Sequence, residues 1–100
     1  MSQPLDVANF RGRLLCTCSA LNQLKTCEKE WFHSKLTRCL DEGAWRTMTA
    51  YYANAPQHEL QEFLVTFYMT YYGEIAPLLS NPSAAVVSMC RKLYWLKHQA

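Results

Sequence analysis

The sequence predicts an all-α fold, a compact bundle of about five helices in a single domain spanning residues 1–100. Two observations carry that expectation. Apolar residues recur at helical spacing in successive segments, and proline and glycine fall where those segments would begin, bend or end. A third is negative: the chain has no Asn-Gly or Asp-Gly pair and no sustained apolar–polar alternation, so no β-hairpin is signalled. Residues 1–4 read as a flexible start and residues 97–100 as a frayed end.

The first periodic segment follows Pro4. Leu5, Val7, Phe10, Leu14, Cys18 and Leu21 keep helical spacing, with Leu15 and Leu24 beside them. Trp31, Phe32, Leu36, Cys39 and Leu40 continue the period as far as Asp41. One helix from Asp6 to Glu42 would be about 55 Å long at 1.5 Å per residue, whereas a compact domain of this length has a radius of gyration near ~13 Å. A break is therefore expected within Cys18 to Thr26, where Ser19, Asn22 and Thr26 are weak helix formers. Gly43 reads as the residue just past a helix end. A shorter helix from Ala44 to Ala53 presents Trp45, Met48 and Tyr52 on one side. Pro56 suits the first position of the next helix, with Glu59 in its first turn.

That next helix, ELQEFLVTFYMTYYGEI from Glu59 to Ile75, dominates the chain. On a helical wheel Glu59, Glu62, Thr66, Thr70 and Gly73 form one narrow polar stripe, and the rest is apolar or aromatic. So narrow a wet face asks for cover on several sides, more than a short chain is expected to supply from its own neighbours. It is expected to run to about Tyr72, with a short turn of helix from Glu74 to Leu79 after it. Ser80-Asn81-Pro82 then signals a new start, a polar cap followed by proline. The last helix turns Ala85, Val86, Met89, Cys90, Leu93 and Leu96 inward and Arg91, Lys92 and Lys97 outward or toward its end.

Composition narrows the function classes. Half of the residues are hydrophobic and 18% are charged, which excludes a disordered chain. A net charge of +2 is too mild to demand nucleic acid or an anionic membrane. No apolar run approaches the roughly 18 to 20 residues of a membrane span, and the N-terminus lacks a signal-peptide layout. Five cysteines, an odd number, argue against a disulfide framework and for a cytoplasmic location.

Candidate chemistry is sparse. Cys16 and Cys18 would point nearly opposite ways on a helix. Cys27, His33 and Cys39 would each be rotated by about 120° along one helix and cannot converge. His58-Glu59 reads as a solvated first turn, and His98 lies near the end of the chain. No Gly-rich phosphate loop and no G-x-S-x-G occurs. The expectation is a non-enzymatic protein without cofactor or metal.

Tyr72, Gly73, Glu74, Ile75, Ala76, Leu78, Asn81, Pro82, Ala84 and Ala85 follow the pattern Y-G-E-I-A-x-L-x-x-N-P-x-A-A. This stretch resembles one in the DNA-binding half of O6-alkylguanine alkyltransferases. The resemblance covers about a fifth of the chain, and the reactive Pro-Cys-His-Arg motif of that family is absent, so alkyl transfer is not implied. What it implies is a helix-turn-helix layout that could place Asn81, Ser83, Ser88, Arg91 and Lys92 on DNA. Ser83, Ala84, Val87 and Ser88 lack the Arg, Asn or Gln forks that read bases, which leaves only Arg91 for that role.

The aromatic excess supports a different reading. Trp45, Tyr51, Tyr52, Tyr68, Tyr71, Tyr72, Tyr94 and Trp95 exceed what one small core comfortably encloses. Tyrosine and tryptophan suit interfaces that are dry on one side and hydrogen-bonded on the other. The leading expectation is a helical protein-interaction module, a regulator or adaptor of bacterial or phage type. It would be homodimeric or bound to a protein partner through Tyr68, Tyr71, Tyr72, Tyr94 and Trp95, with Arg91 and Lys92 at the rim. DNA binding is the alternative, and no membrane contact is expected.

Overall fold

A computed structural model of the chain describes residues 6–70 and 81–99. Among them are five helices and no strand: α1 (Val7–Ser19), α2 (Thr26–Arg38), α3 (Glu42–Tyr52), α4 (Gln57–Thr70) and α5 (Pro82–His98). The expected short helix from Glu74 to Leu79, with Pro77 inside it, lies outside the described residues, as do Tyr71 and Tyr72.

Local hydrogen bonds explain most of the boundaries. Asp6 caps α1 by accepting the Asn9 N–H at 3.0 Å. The helix stops where Thr17 and Ser19 turn their hydroxyls back onto the carbonyls of Arg13 and Leu15, at 2.9 and 3.2 Å. The expected break in the long apolar period therefore falls between Ser19 and Thr26. It is no loose linker, because Leu21 and Leu24 are buried within it. With the break in place the radius of gyration is 13.0 Å, the compact value.

Gly43 needs a correction. Rather than closing α2, it sits in the first turn of α3. Arg38 already ends α2, and the Asp41 carboxylate starts α3 by accepting the Ala44 N–H at 2.8 Å. An aspartate at the cap outweighs a glycine two residues on, because glycine is left-handed only where a C-cap needs it. No described residue has a positive φ. Pro56 stands one residue before α4, not at its first position, and offers its carbonyl to the Glu59 and Leu60 N–H groups, at 3.0 and 3.3 Å.

Packing follows from these elements. α1 and α2 form an antiparallel hairpin, with the Arg11 guanidinium reaching the Thr37 carbonyl at 3.4 Å. Phe32 of α2 meets Phe67 and Tyr68 of α4, both at 5.4 Å between ring centres. Tyr52 of α3 lies against Phe63 of α4 at 4.7 Å. α5 packs chiefly on α3 and runs in the same direction: Ser83 meets Asp41 at one end, and Tyr94 meets Tyr51 and Tyr52 at the other. Antiparallel to α4, the far end of α5 is tied down by Lys97, whose ammonium lies 3.2 Å from Glu59 and 3.3 Å from Glu62.

One polar cluster holds the elbow between α3 and α4. Arg13 of α1 donates to the carbonyl of Ala53 at 3.2 Å and also to that of Ala55. One turn further along α1, Thr17 accepts from the Gln57 amide at 2.7 Å. The carbonyls that α3 leaves unsatisfied at its C-terminus thus receive a guanidinium, the most favourable charge for that position. In the core, the Trp45 indole N–H finds no acceptor among the described residues, although the Arg11 guanidinium lies over its ring at 5.0 Å.

Candidate functional site

The expectation that α4 outgrows its own chain is overturned for the residues the structure describes. Leu60, Phe63, Leu64, Phe67 and Tyr68 are all buried by neighbouring helices, Val65 is half-buried, and only Met69 stands out at 63% exposure. α1 and α5 pack along α4, and α2 and α3 add rings from Phe32 and Tyr52 that close over its aromatic side. Tyr68 in particular is 3% exposed between Trp31 and Phe32 and offers no ring to a partner in this fold.

Exposed apolar surface appears on α5 instead. Asn81 caps this helix by accepting the Ala84 N–H at 3.3 Å, and Pro82 occupies its first turn. Ala85, Val86, Met89 and Cys90 face the core, and Leu93 and Tyr94 are half-buried. Ser88, Arg91, Lys92, Trp95 and Leu96 are exposed. Their spacing, three and four residues apart in turn, puts all five on one stripe along the helix. Trp95 is 62% exposed and Leu96 54% exposed, so Leu96 turns outward where the sequence suggested an inward place.

The end of this helix is held in place. Tyr94 stacks between Tyr51 at 4.6 Å and His98 at 4.0 Å. Although desolvation opposes it, the hydrogen bonds from Lys97 to Glu59 and Glu62 keep the Lys97 ammonium above its ordinary pKa. Trp95 and Leu96 thus project from a helix anchored on both sides of them in sequence.

At the other end of α5 the polar residues have structural duties. The Ser83 side chain is buried and hydrogen-bonds the Asp41 carboxylate. That carboxylate is held below its usual pKa first by the Ala44 N–H and then by Ser83. Asn81 is spent on its cap. An open groove of about 590 Å³ runs between α3 and α5, lined by Asp41, Gly43, Thr47, Ser83, Ser88 and Arg91, and it leads onto the exposed stripe.

The structure therefore regroups the candidate residues. Ser88, Arg91 and Lys92, singled out for DNA, share one surface with Trp95, singled out for a protein partner, and Tyr94 braces it from beneath. Tyr68, Asn81 and Ser83 belong to the core or to helix capping, and Tyr71 and Tyr72 lie outside the described residues. Leu96 is the residue that sequence reasoning missed. The signal was available in the spacing of Ser88, Arg91, Lys92 and Trp95, which leads straight to it.

No group of three or more His, Cys, Asp or Glu converges among the described residues. None of the described helices is long and apolar enough to cross a membrane. The cysteines divide cleanly: Cys16, Cys27 and Cys39 are exposed, whereas Cys18 and Cys90 are buried. Burial pushes the thiol of Cys18 up to about 11 and that of Cys90 up to about 12. We expect a thiol reagent at neutral pH to modify Cys16, Cys27 and Cys39 quickly in the native protein, with Cys18 and Cys90 following only on unfolding. Peptide mapping after timed alkylation checks this. The same shifts set an alkaline limb. The folded state keeps protons that the unfolded state loses above pH 9, so stability falls as pH rises, up to about 11 for Cys18 and about 12 for Cys90, by about 1.4 kcal/mol per pH unit for each thiol. Cys90→Ala should flatten that limb.

The short likeness to the alkyltransferases falls mostly on residues outside the described set. Compared with protein-family models, curated proteins and solved structures, the chain matches none.

Proposed function

We propose that this protein is a non-enzymatic interaction module, a small regulator or adaptor that binds another polypeptide through the outward stripe of α5. One observation carries the reading. Trp95 and Leu96, neighbours on a firmly anchored helix, hold more than half of their surfaces in water. Single exposed apolar residues are ordinary, but an exposed tryptophan beside an exposed leucine, on a helix whose half-buried Tyr94 docks onto α3, has the makeup of an interface anchor. A second copy of the chain and a different protein both satisfy the reading, and light scattering over a concentration range separates the two.

The stripe is a weaker fit to DNA. Two cations and a serine lie on it, while the helix N-terminus that would enter a groove spends Asn81 and Ser83 on capping and on Asp41.

The test is Trp95→Ala. Because the side chain is exposed, the substitution should change stability by no more than about 0.5 kcal/mol and leave the far-ultraviolet circular dichroism as it was. We expect it to abolish self-association, or to remove the partner that co-purifies with the wild type from the native host. Equal association and equal recovery by wild type and Trp95→Ala would overturn the proposal.

A further inference from the structure

We infer that the α5 stripe takes an acidic amphipathic segment of a different protein, one that sets an apolar side chain on Trp95 and Leu96 and carboxylates on Arg91 and Lys92. The inference rests on the interaction reading above and adds the chemistry of the partner.

Charge complementarity carries it. Between Pro82 and His98 the helix has no Asp or Glu. Among the described residues, the acids that meet α5 are already engaged: Glu59 and Glu62 hold Lys97, and Asp41 holds Ser83 and its own cap. Arg91 and Lys92 make no ion pair among the described residues and are exposed. They stand about one helical turn, some ~5.4 Å along the axis, from Trp95 and Leu96. The stripe thus presents two cations with no ion pair among the described residues, followed by an apolar pair. A ligand helix with acidic residues one turn from a leucine or phenylalanine complements both halves at once.

Other occupants satisfy only one half. Duplex DNA supplies phosphates, yet it offers little to cover an exposed tryptophan and leucine, and two cations neutralise too few phosphates to bind firmly at physiological salt. An anionic bilayer would gain about 1 kcal/mol per cation plus the insertion of one small apolar pair, which is marginal. A second copy of this chain, paired symmetrically through the stripe, brings the same two cations from each side and no acid between them.

Fluorescence anisotropy of labelled synthetic peptides tests the inference on the full chain. One peptide is an amphipathic helix with Leu at the i, i+3, i+4 and i+7 positions and Glu flanking them; a second has Lys in place of each Glu. We expect the acidic peptide to bind at least about tenfold more tightly than the basic one, an advantage that shrinks with added salt. The double variant Arg91→Glu/Lys92→Glu should weaken the acidic peptide at least about tenfold and reverse the preference. Trp95→Ala should weaken both peptides. Circular dichroism confirms that the variants fold. Equal binding of the two peptides, no binding of either, or an acidic-peptide affinity untouched by the charge reversal would overturn the inference. So would retention only of a random duplex or of phosphatidylserine vesicles. If the peptides fail while Trp95→Ala still loses its co-purified partner, the inference falls and the interaction reading stands. If Trp95→Ala keeps that partner, the interaction reading itself falls.

Discussion

Phe32→Ala is expected to destabilise the protein by about 3–5 kcal/mol, the cost of removing a fully buried phenyl ring and leaving a cavity. Phe32 has no exposed surface and lies between the α1–α2 hairpin and α4, with Phe67 and Tyr68 each 5.4 Å away. Those rings are themselves anchored, Phe67 to Phe63 and Tyr68 to Trp31. The surroundings therefore cannot collapse easily into the space, and the cost belongs at the upper part of the range. A domain of this size has about 5–15 kcal/mol in total, so the variant should populate unfolded chain well below the melting temperature of the wild type. Thermal and urea denaturation followed by circular dichroism read the loss directly. Phe32→Leu, which refills most of the volume, should recover a large part of it. If Phe32→Ala melts like the wild type, the aromatic contact between α2 and α4 is not what holds them together.

Arg13→Met should cost about 1.5–3 kcal/mol, the range for hydrogen bonds made by a charged donor. Methionine keeps the apolar length of the side chain, so what is lost is the guanidinium at the carbonyls of Ala53 and Ala55. Those carbonyls end α3 and lead into α4, and no other described side chain serves them. The urea midpoint should fall with the slope unchanged. Amide exchange should accelerate at Ala53 and Ala55 and spare α5. A uniform acceleration over all five helices would show that Arg13 acts on global stability and not on the elbow.

How much of this was legible in the sequence depends on the range of the interactions involved. The gap between α1 and α2, the Asn81-Pro82 start of α5 and the buried side of α3 are set by residues within a turn of one another, and periodicity with capping chemistry reaches that far. Gly43 misled because a capping aspartate, Asp41, stands two residues before it and starts α3 there. α4 misled for a different reason. Counting its apolar faces gives the demand for cover, but the supply depends on how α1 and α5 pack along it and on where α2 and α3 bring Phe32, Trp31 and Tyr52. The Arg13 clasp links α1 to residues some forty positions on, with no local pattern to announce it. The stripe on α5 was present in the spacing of Ser88, Arg91, Lys92 and Trp95. The cations read both for DNA and as the rim of a protein interface, and the stripe stayed incomplete because Leu96 reads as an inward residue.

The parallel pairing of α3 with α5 also bears on how the chain is made. Synthesis delivers α3 and α4 to the ribosome exit well before α5, and until residues 82–94 emerge Tyr51 and Tyr52 lack the neighbour that Tyr94 provides. A chain whose last helix has not yet docked is therefore a greasy four-helix intermediate and a natural client for chaperones. Contacts so distant along the polymer close late, so α5 should be the last helix to gain amide protection when the denatured protein refolds.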